Sequence, residues 1–182
     1  MEFEREKQSL LLEGVRYTAN DLHLLKTKAV GASDSSTGQM LYDFLQEWFT
    51  ESPWMTVHTS GSTGKPKKIR ISKDKMMQSA RLTCEFLNLQ IGDTALLCMN
   101  LRYIGAMMVV VRSLVAGLNL IIRPASGHPL ADMKQPLRFA AMVPLQVYNT
   151  LQVPEEKERL RQTDVLIIGG GAIDEALEAE IR

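Results

Sequence analysis

Cysteine is nearly absent from this chain of 182 residues. Its two cysteines, Cys84 and Cys98, lack Cys-x-x-Cys spacing and sit in apolar-patterned segments, so both read as buried free thiols. That excludes a disulfide scaffold and fits a cytoplasmic setting. An excess of one charge is also lacking. Lys and Arg total 21 against 21 Asp and Glu, so nothing advertises nucleic acid or an anionic membrane as partner. No apolar run is long enough to span a bilayer. The stretch from Ile104 to Ile122 is broken by Arg112, Ser113, Gly117 and Asn119, and Val165 to Ile168 is short. The charged start, Met1 to Lys7, has no apolar signal-peptide core. Repeats and low-complexity tracts are missing too. The length fits one domain, or a large piece of one.

What is present is an alternation of short strands and helices. Leu10 to Val15 and Tyr17 predict a strand or hairpin around Gly14, and Asn20 or Asp21 can cap a helix through Leu22, Leu24 and Leu25. Gly31 to Ser36 reads as a loop. Met40, Leu41, Phe44, Leu45, Trp48 and Phe49 recur at helical spacing and predict a packed core face. Two extended pieces, Met55 to His58 and Lys68 to Ile71, flank a polar loop. Ser72 then caps a helix with Met76, Met77, Ala80, Cys84 and Leu87 on its apolar face. Strands follow at Thr94–Met99, Leu118–Ile122, Phe139–Val143 and Val165–Ile168. Between and after them come helices from about Tyr103 to Ala116, ended by Gly117, from Pro144, after Pro154, and near Asp174. This order implies an α/β domain with a parallel sheet flanked by helices, in which ligands gather at the carboxyl ends of strands.

The loop Thr59-Ser60-Gly61-Ser62-Thr63-Gly64-Lys65-Pro66-Lys67 concentrates polyphosphate chemistry. Gly61 and Gly64 free the backbone to turn several N–H groups toward one centre. Thr59, Ser60, Ser62 and Thr63 add hydroxyl donors, while Lys65, Lys67, Lys68 and Arg70 supply cations. By composition alone, a solvated Ser/Gly hairpin loop remains an equal reading. It is not a Walker loop, which would need glycine at Thr59 and a hydroxyl at Pro66.

In residue order the loop closely resembles Thr-Ser-Gly-[Ser/Thr]-Thr-Gly-x-Pro-Lys, the signature of the adenylate-forming superfamily. That group includes acyl-CoA synthetases, peptide-synthetase adenylation domains and luciferases. Weaker likenesses follow in the family's order: Tyr103, Arg112 to Gly117, Val143-Pro144-Leu145-Gln146, and Leu166 to Ile173 with its glycines Gly169, Gly170 and Gly171. Tyr103, Arg112 and Gly-Gly-Gly-Ala-Ile are together most similar to o-succinylbenzoate–CoA ligases of menaquinone biosynthesis. Each keeps a plainer alternative: core packing for Tyr103, a helix-surface arginine or structural ion pair for Arg112, and an unliganded strand-to-helix turn for the glycines. A dinucleotide fingerprint is set aside, because Asp174 stands where it needs glycine.

The resemblance implies an enzyme that joins a small-molecule carboxylic acid to AMP from ATP, then transfers the acyl group to CoA, with Mg2+ expected. It assigns Thr59, Ser60, Gly61, Ser62, Thr63, Gly64 and Lys67 to the phosphates, Thr63 also to the metal, and Gly169 to Gly171 to the adenine side. Tyr103 and Arg112 would face the acyl group. It divides the chain into an abbreviated segment, 1–53, and an incomplete AMP-binding domain, 54–182. The family's acidic motif, ribose-binding aspartate and C-terminal lysine domain have no counterpart, so an inactive fragment of a longer enzyme is expected. For residues 1–53, lineage-specific shortening and a contact between two copies of the chain both stay open. A stand-alone phosphate-binding module and another acyl- or aminoacyl-activating enzyme are the alternatives in function.

Overall fold

Glu13 and Gly14 both take positive φ angles, 47° and 82°, and reverse the chain between β1 (Leu10–Leu12) and β2 (Val15–Tyr17). The predicted strand thus stops at Leu12, and Val15 belongs to its antiparallel partner. The computed structural model describes residue 4 and residues 7–25, 35–58 and 68–181, with the backbone alone for Ser35 and His58. After β2 the helical turn is capped by Thr18, two residues before the nearer of the expected caps, Asn20. The Thr18 hydroxyl accepts from the Asn20 N–H at 3.3 Å, while Asp21 accepts from the Thr18 N–H at 2.9 Å. The Thr18 hydroxyl also donates to the Asp21 carboxylate at 2.6 Å, and this bond, followed by the one from the Thr18 N–H, holds the Asp21 carboxyl below its ordinary pKa.

Helix α1 (Ser35–Trp48) begins inside the stretch expected to be a loop; Ser35 and Ser36 form its first turn, where polar residues suit the orphan N–H groups. Its stripe is core, as its spacing implies: Leu41, Phe44, Leu45, Trp48 and Phe49 are buried, and Met40 packs against them. The hairpin of β3 (Trp54–His58) and β4 (Lys68–Ser72) pairs Trp54 with Ser72 and His58 with Lys68. Ser72 then caps α2 (Lys73–Phe86).

Three strand–helix units follow: β5 (Thr94–Leu97) with α3 (Ile104–Ala116), then β6 (Asn119–Ile122), then β7 (Phe139–Met142) with α4 (Pro144–Leu151) and α5 (Pro154–Arg161), and finally β8 (Val165–Ile168) with α6 (Glu175–Ile181). Gly117 ends α3 in the left-handed conformation, φ 68°, which a side chain would resist. Among the described residues the main sheet has the order β2-β1-β6-β5-β7-β8, and every pairing except β1 with β2 is parallel.

Alternate residues of each strand face opposite sides, and here both sides are apolar. Ala95, Leu97, Leu120, Phe139 and Ala141 join the core under α1, α2 and α3. Leu96, Cys98, Ile121, Ala140 and Met142 join a second cluster with Val147, Leu151 and Leu177 from α4 and α6. Burying each such large side chain contributes roughly 1.5–3 kcal/mol. At the amino end of the sheet Arg138 fastens the layers. Its guanidinium donates to the carbonyls of Leu87 (3.1 Å) and Asn88 (3.2 Å) and lies 3.5 Å from Asp93. The C-terminal end of α2 is therefore at the edge opposite the carboxyl ends of the strands.

Candidate functional site

Three chain segments leave the carboxyl ends of neighbouring strands: 98–103 after β5, Val143–Pro144 after β7, and Gly169–Gly171 after β8. Such convergence is where parallel α/β sheets form ligand sites. Tyr103 stands at the N-cap of α3, extended in backbone and 48% exposed, with no side-chain cap. The glycine turn rests on the segment beside it. Gly169 donates to the Met142 carbonyl at 3.1 Å. A β-carbon on Gly170 would lie 3.5 Å from Val143, and one on Gly171 would lie 3.5 Å from Pro144. Gly170 has φ 80°, so this turn requires glycine on conformational grounds as well.

Between the first two of these segments is Gln146, a buried residue that the sequence pointed to only as the last of Val143-Pro144-Leu145-Gln146. Its amide nitrogen donates to the carbonyls of Cys98 and Ser126, both at 2.8 Å. Its amide oxygen accepts from the Val143 N–H at 3.1 Å. A signal existed: glutamine three residues after a helix N-cap commonly reaches back to the cap N–H, and Pro144 marks that start. Cys98 packs beside it, its thiol 3.6 Å from the Ala141 carbonyl. Burial pushes the Cys98 thiol up to about 12, so it is inert as a nucleophile. Cys84 is also buried, and burial raises its thiol as well, so both cysteines are the enclosed free thiols expected.

The hairpin β3–β4 carries the candidate phosphate loop. Thr59, Ser60, Gly61, Ser62, Thr63, Gly64 and Lys67 lie outside the described residues. What is described is the stem. Met55 and Val57 are buried, Glu47 of α1 accepts from the Thr56 N–H at 2.8 Å, and the Arg70 guanidinium covers the Trp54 ring at 5.3 Å.

Arg112 is not brought to Tyr103. Nine residues along α3 put it about 13 Å further down the axis at 1.5 Å per residue. Its guanidinium lies 5.8 Å over the ring of Phe139, the first residue of β7. Burial lowers its pKa, against a smaller opposing effect of Cys84, and its Nε has no hydrogen-bond partner among the described residues. For Mg2+, the described residues hold no group of three His, Cys, Asp or Glu side chains able to bind a metal. Thr63, the residue expected beside the ion, lies outside the described residues. Nor is any helix among them long and apolar enough to cross a membrane.

The pattern of the AMP-binding enzyme family matches residues 12–182. Among curated proteins, the 2-succinylbenzoate–CoA ligases of Bacillus mycoides (strain KBAB4) and Bacillus cereus (strain Q1) are each 30% identical over 82 residues. That alignment covers 44% of this chain and 17% of each ligase. Among solved structures, an acyl-CoA synthetase (AMP-forming)/AMP-acid ligase II-like protein from Dyadobacter fermentans DSM 18053 superposes with a TM-score of 0.74 at 30% identity. It covers 86% of this chain, which in turn spans 45% of that protein. The o-succinylbenzoate coenzyme A synthetase of Bacillus subtilis, in complex with AMP, shares the fold: TM-score 0.56, 21% identity, 69% of this chain and 26% of that one.

Proposed function

From its place in the AMP-binding enzyme family, to which the chain belongs, we propose that it supplies the phosphate loop and the first walls of the substrate site in an ATP-dependent carboxylate–CoA ligase. The observation that carries the reading is the family match over 12–182 with the loop Thr59 to Lys67 intact inside it. In the proposed reaction a substrate carboxylate oxygen attacks the α-phosphorus of ATP and pyrophosphate leaves. CoA thiolate then attacks the acyl carbon and expels AMP. The hydroxyls of Thr59, Ser60, Ser62 and Thr63, the Lys67 cation, and the backbone donors at Gly61 and Gly64 would hold the β- and γ-phosphates and stabilise the departing charge. Gly169 to Gly171 would present flat backbone to the adenine. Tyr103, at the mouth between the strand ends, would wall the acyl group; Arg112 enters this proposal as a packed residue committed to Phe139.

For the acid itself we propose o-succinylbenzoate, supported by the identity to the two Bacillus ligases. The longer structural match, to the Dyadobacter synthetase, supports the ligase class without naming an acid, so a ligase for another carboxylic acid is the second reading. The test is a panel of carboxylic acids with ATP and CoA on the complete natural protein, scored by thioester formed. Preference for o-succinylbenzoate by tenfold or more in kcat/KM, about 1.4 kcal/mol of transition-state discrimination, is expected. A different preferred acid removes the substrate and leaves the ligase. No ATP-dependent thioester with any acid removes both.

A further inference from the structure

None of the hydrogen bonds of Gln146 goes to Tyr103 or the glycine turn, yet they tie together the segment that leads to Tyr103 and the one on which the turn rests. Its two donors hold Cys98, where the chain departs from β5 toward Tyr103, and Ser126, in the connection after β6. Its acceptor holds the Val143 N–H, and Val143 and Pro144 are the floor against which Gly170 and Gly171 rest. The side chain is 5% exposed, so water does not substitute for it. A single amide therefore fixes the spacing between the segment leading to the proposed acyl wall and the one supporting the proposed adenine wall.

We infer that Gln146 is a positioning residue which sets the height of the Gly169–Gly171 turn relative to the Cys98–Tyr103 segment, and through it the fit of the nucleotide. The inference rests on the ligase reading for its nucleotide half only. Buried carbonyls and an N–H left without a partner draw the segments apart or admit water, and reacting groups displaced by an ångström lose rate and affinity. An enzyme that was merely less stable would keep its KM, because loss of folded molecules lowers only the active fraction.

The experiment uses Gln146→Met, close in shape and without hydrogen bonds, and Gln146→Glu in the complete natural protein. Hydrogen exchange of segments 98–103 and 165–174 is measured without ligand, and KM for ATP in the thioester assay. In the Met variant both segments should exchange faster while α2 does not, and KM for ATP should rise about tenfold, the equivalent of roughly 1.4 kcal/mol. In the Glu variant the ionised carboxylate faces two carbonyl oxygens. Burial raises its pKa, and the protonated acid regains one donor. Its KM should therefore fall toward the wild-type value as pH is lowered from about 8 to about 6, a recovery that wild type lacks. If the Met variant does not fold, that pH profile decides. Unchanged exchange in both segments, or unchanged KM beside a lowered Tm, overturns the inference. If the wild-type protein uses no ATP, the ligase reading falls by itself, and exchange alone judges whether Gln146 couples the two segments.

Discussion

The ammonium of Lys73, wholly enclosed, donates to the carbonyl oxygen of Thr50 at 2.8 Å and approaches the Thr50 hydroxyl at 3.3 Å. A cation here meets the C-terminal end of α1, where carbonyl groups point outward. Burial lowers the Lys73 pKa, while Glu47 and Glu51 oppose that shift. The same residue donates its backbone N–H to the Pro53 carbonyl at 2.9 Å. One side chain thus joins the end of α1 to the start of α2, at the base of the hairpin that carries the phosphate loop.

Replacing Lys73 separates packing from charge. Lys73→Ala removes a filled volume and leaves Thr50 without its donor, and should lower unfolding stability by about 2–4 kcal/mol in urea titrations. Lys73→Met keeps the stem and removes a buried charge, so its loss should stay within about 1–2 kcal/mol. Equal losses in the two variants would mean that the ammonium, and not the stem, stabilises this corner.

The candidate phosphate loop is tested by deletion of single groups in the complete natural protein. Hydrogen bonds to charged groups are worth about 1.5–3 kcal/mol, so Thr63→Ala and Lys67→Ala should each reduce kcat/KM for ATP by roughly ten- to a hundredfold. Urea midpoints should match wild type. Kinetics unchanged by both substitutions would return the loop to an ordinary solvated hairpin connection.

Much of this architecture is written locally and could be read. The Glu13-Gly14 reversal, the Ser72 cap, the Gly117 stop and the apolar stripe of α1 each depend on neighbours within a few positions. Non-local features were not legible. Nothing in Leu10 to Leu12 says that β1 will pair in parallel with β6 more than a hundred residues on, with Leu11 opposite Asn119. Burial of the Lys73 ammonium depends on Thr50 and the turn at Pro53, which the residue type does not reveal. Arg112 reads as a cation for the acyl group, a helix-surface arginine or a structural ion pair, since its residue type does not reveal that it lies over Phe139. For the candidate site, the strand ends and the glycine turn were found from order alone. The link between them was not, because its donors and acceptors converge only in three dimensions.

Cys98 gives a pH prediction. Its thiol is raised to about 12 in the folded protein, above its ordinary value. A group with a raised folded pKa stabilises fully below its unfolded pKa and loses that contribution as pH rises toward the folded one. Stability should therefore fall between about pH 9 and 12, by at most roughly 1.4 kcal/mol per pH unit for one thiol. Urea unfolding at about pH 8 and 10 measures it. Cys98→Ala should make the two curves approach each other; Cys84, raised by burial in the same direction, keeps part of the difference. An identical alkaline loss in Cys98→Ala would place its origin elsewhere.

The glycine turn offers two substitutions whose structural costs differ while their ligand costs agree. Gly170 has φ 80°, so Gly170→Ala adds left-handed strain of about 1–2 kcal/mol even though Val143 would be met at an ordinary 3.5 Å. Gly171 has no positive φ, and a methyl there would touch Pro144 at the same ordinary distance. Gly171→Ala should thus leave the urea midpoint within about 0.5 kcal/mol of wild type, as expected for a change that touches no strained or buried feature. If the turn presents bare backbone to adenine, both methyl groups intrude on the nucleotide, and KM for ATP should rise about tenfold in each variant. If it is a plain strand-to-helix turn, only Gly170→Ala changes anything measurable, and that change is in stability. The pair therefore reads ligand contact and conformational need as separate quantities at adjacent positions. A stable Gly171→Ala enzyme with wild-type KM would remove Gly169 to Gly171 from the nucleotide site while leaving the loop at Thr59 to Lys67 untouched.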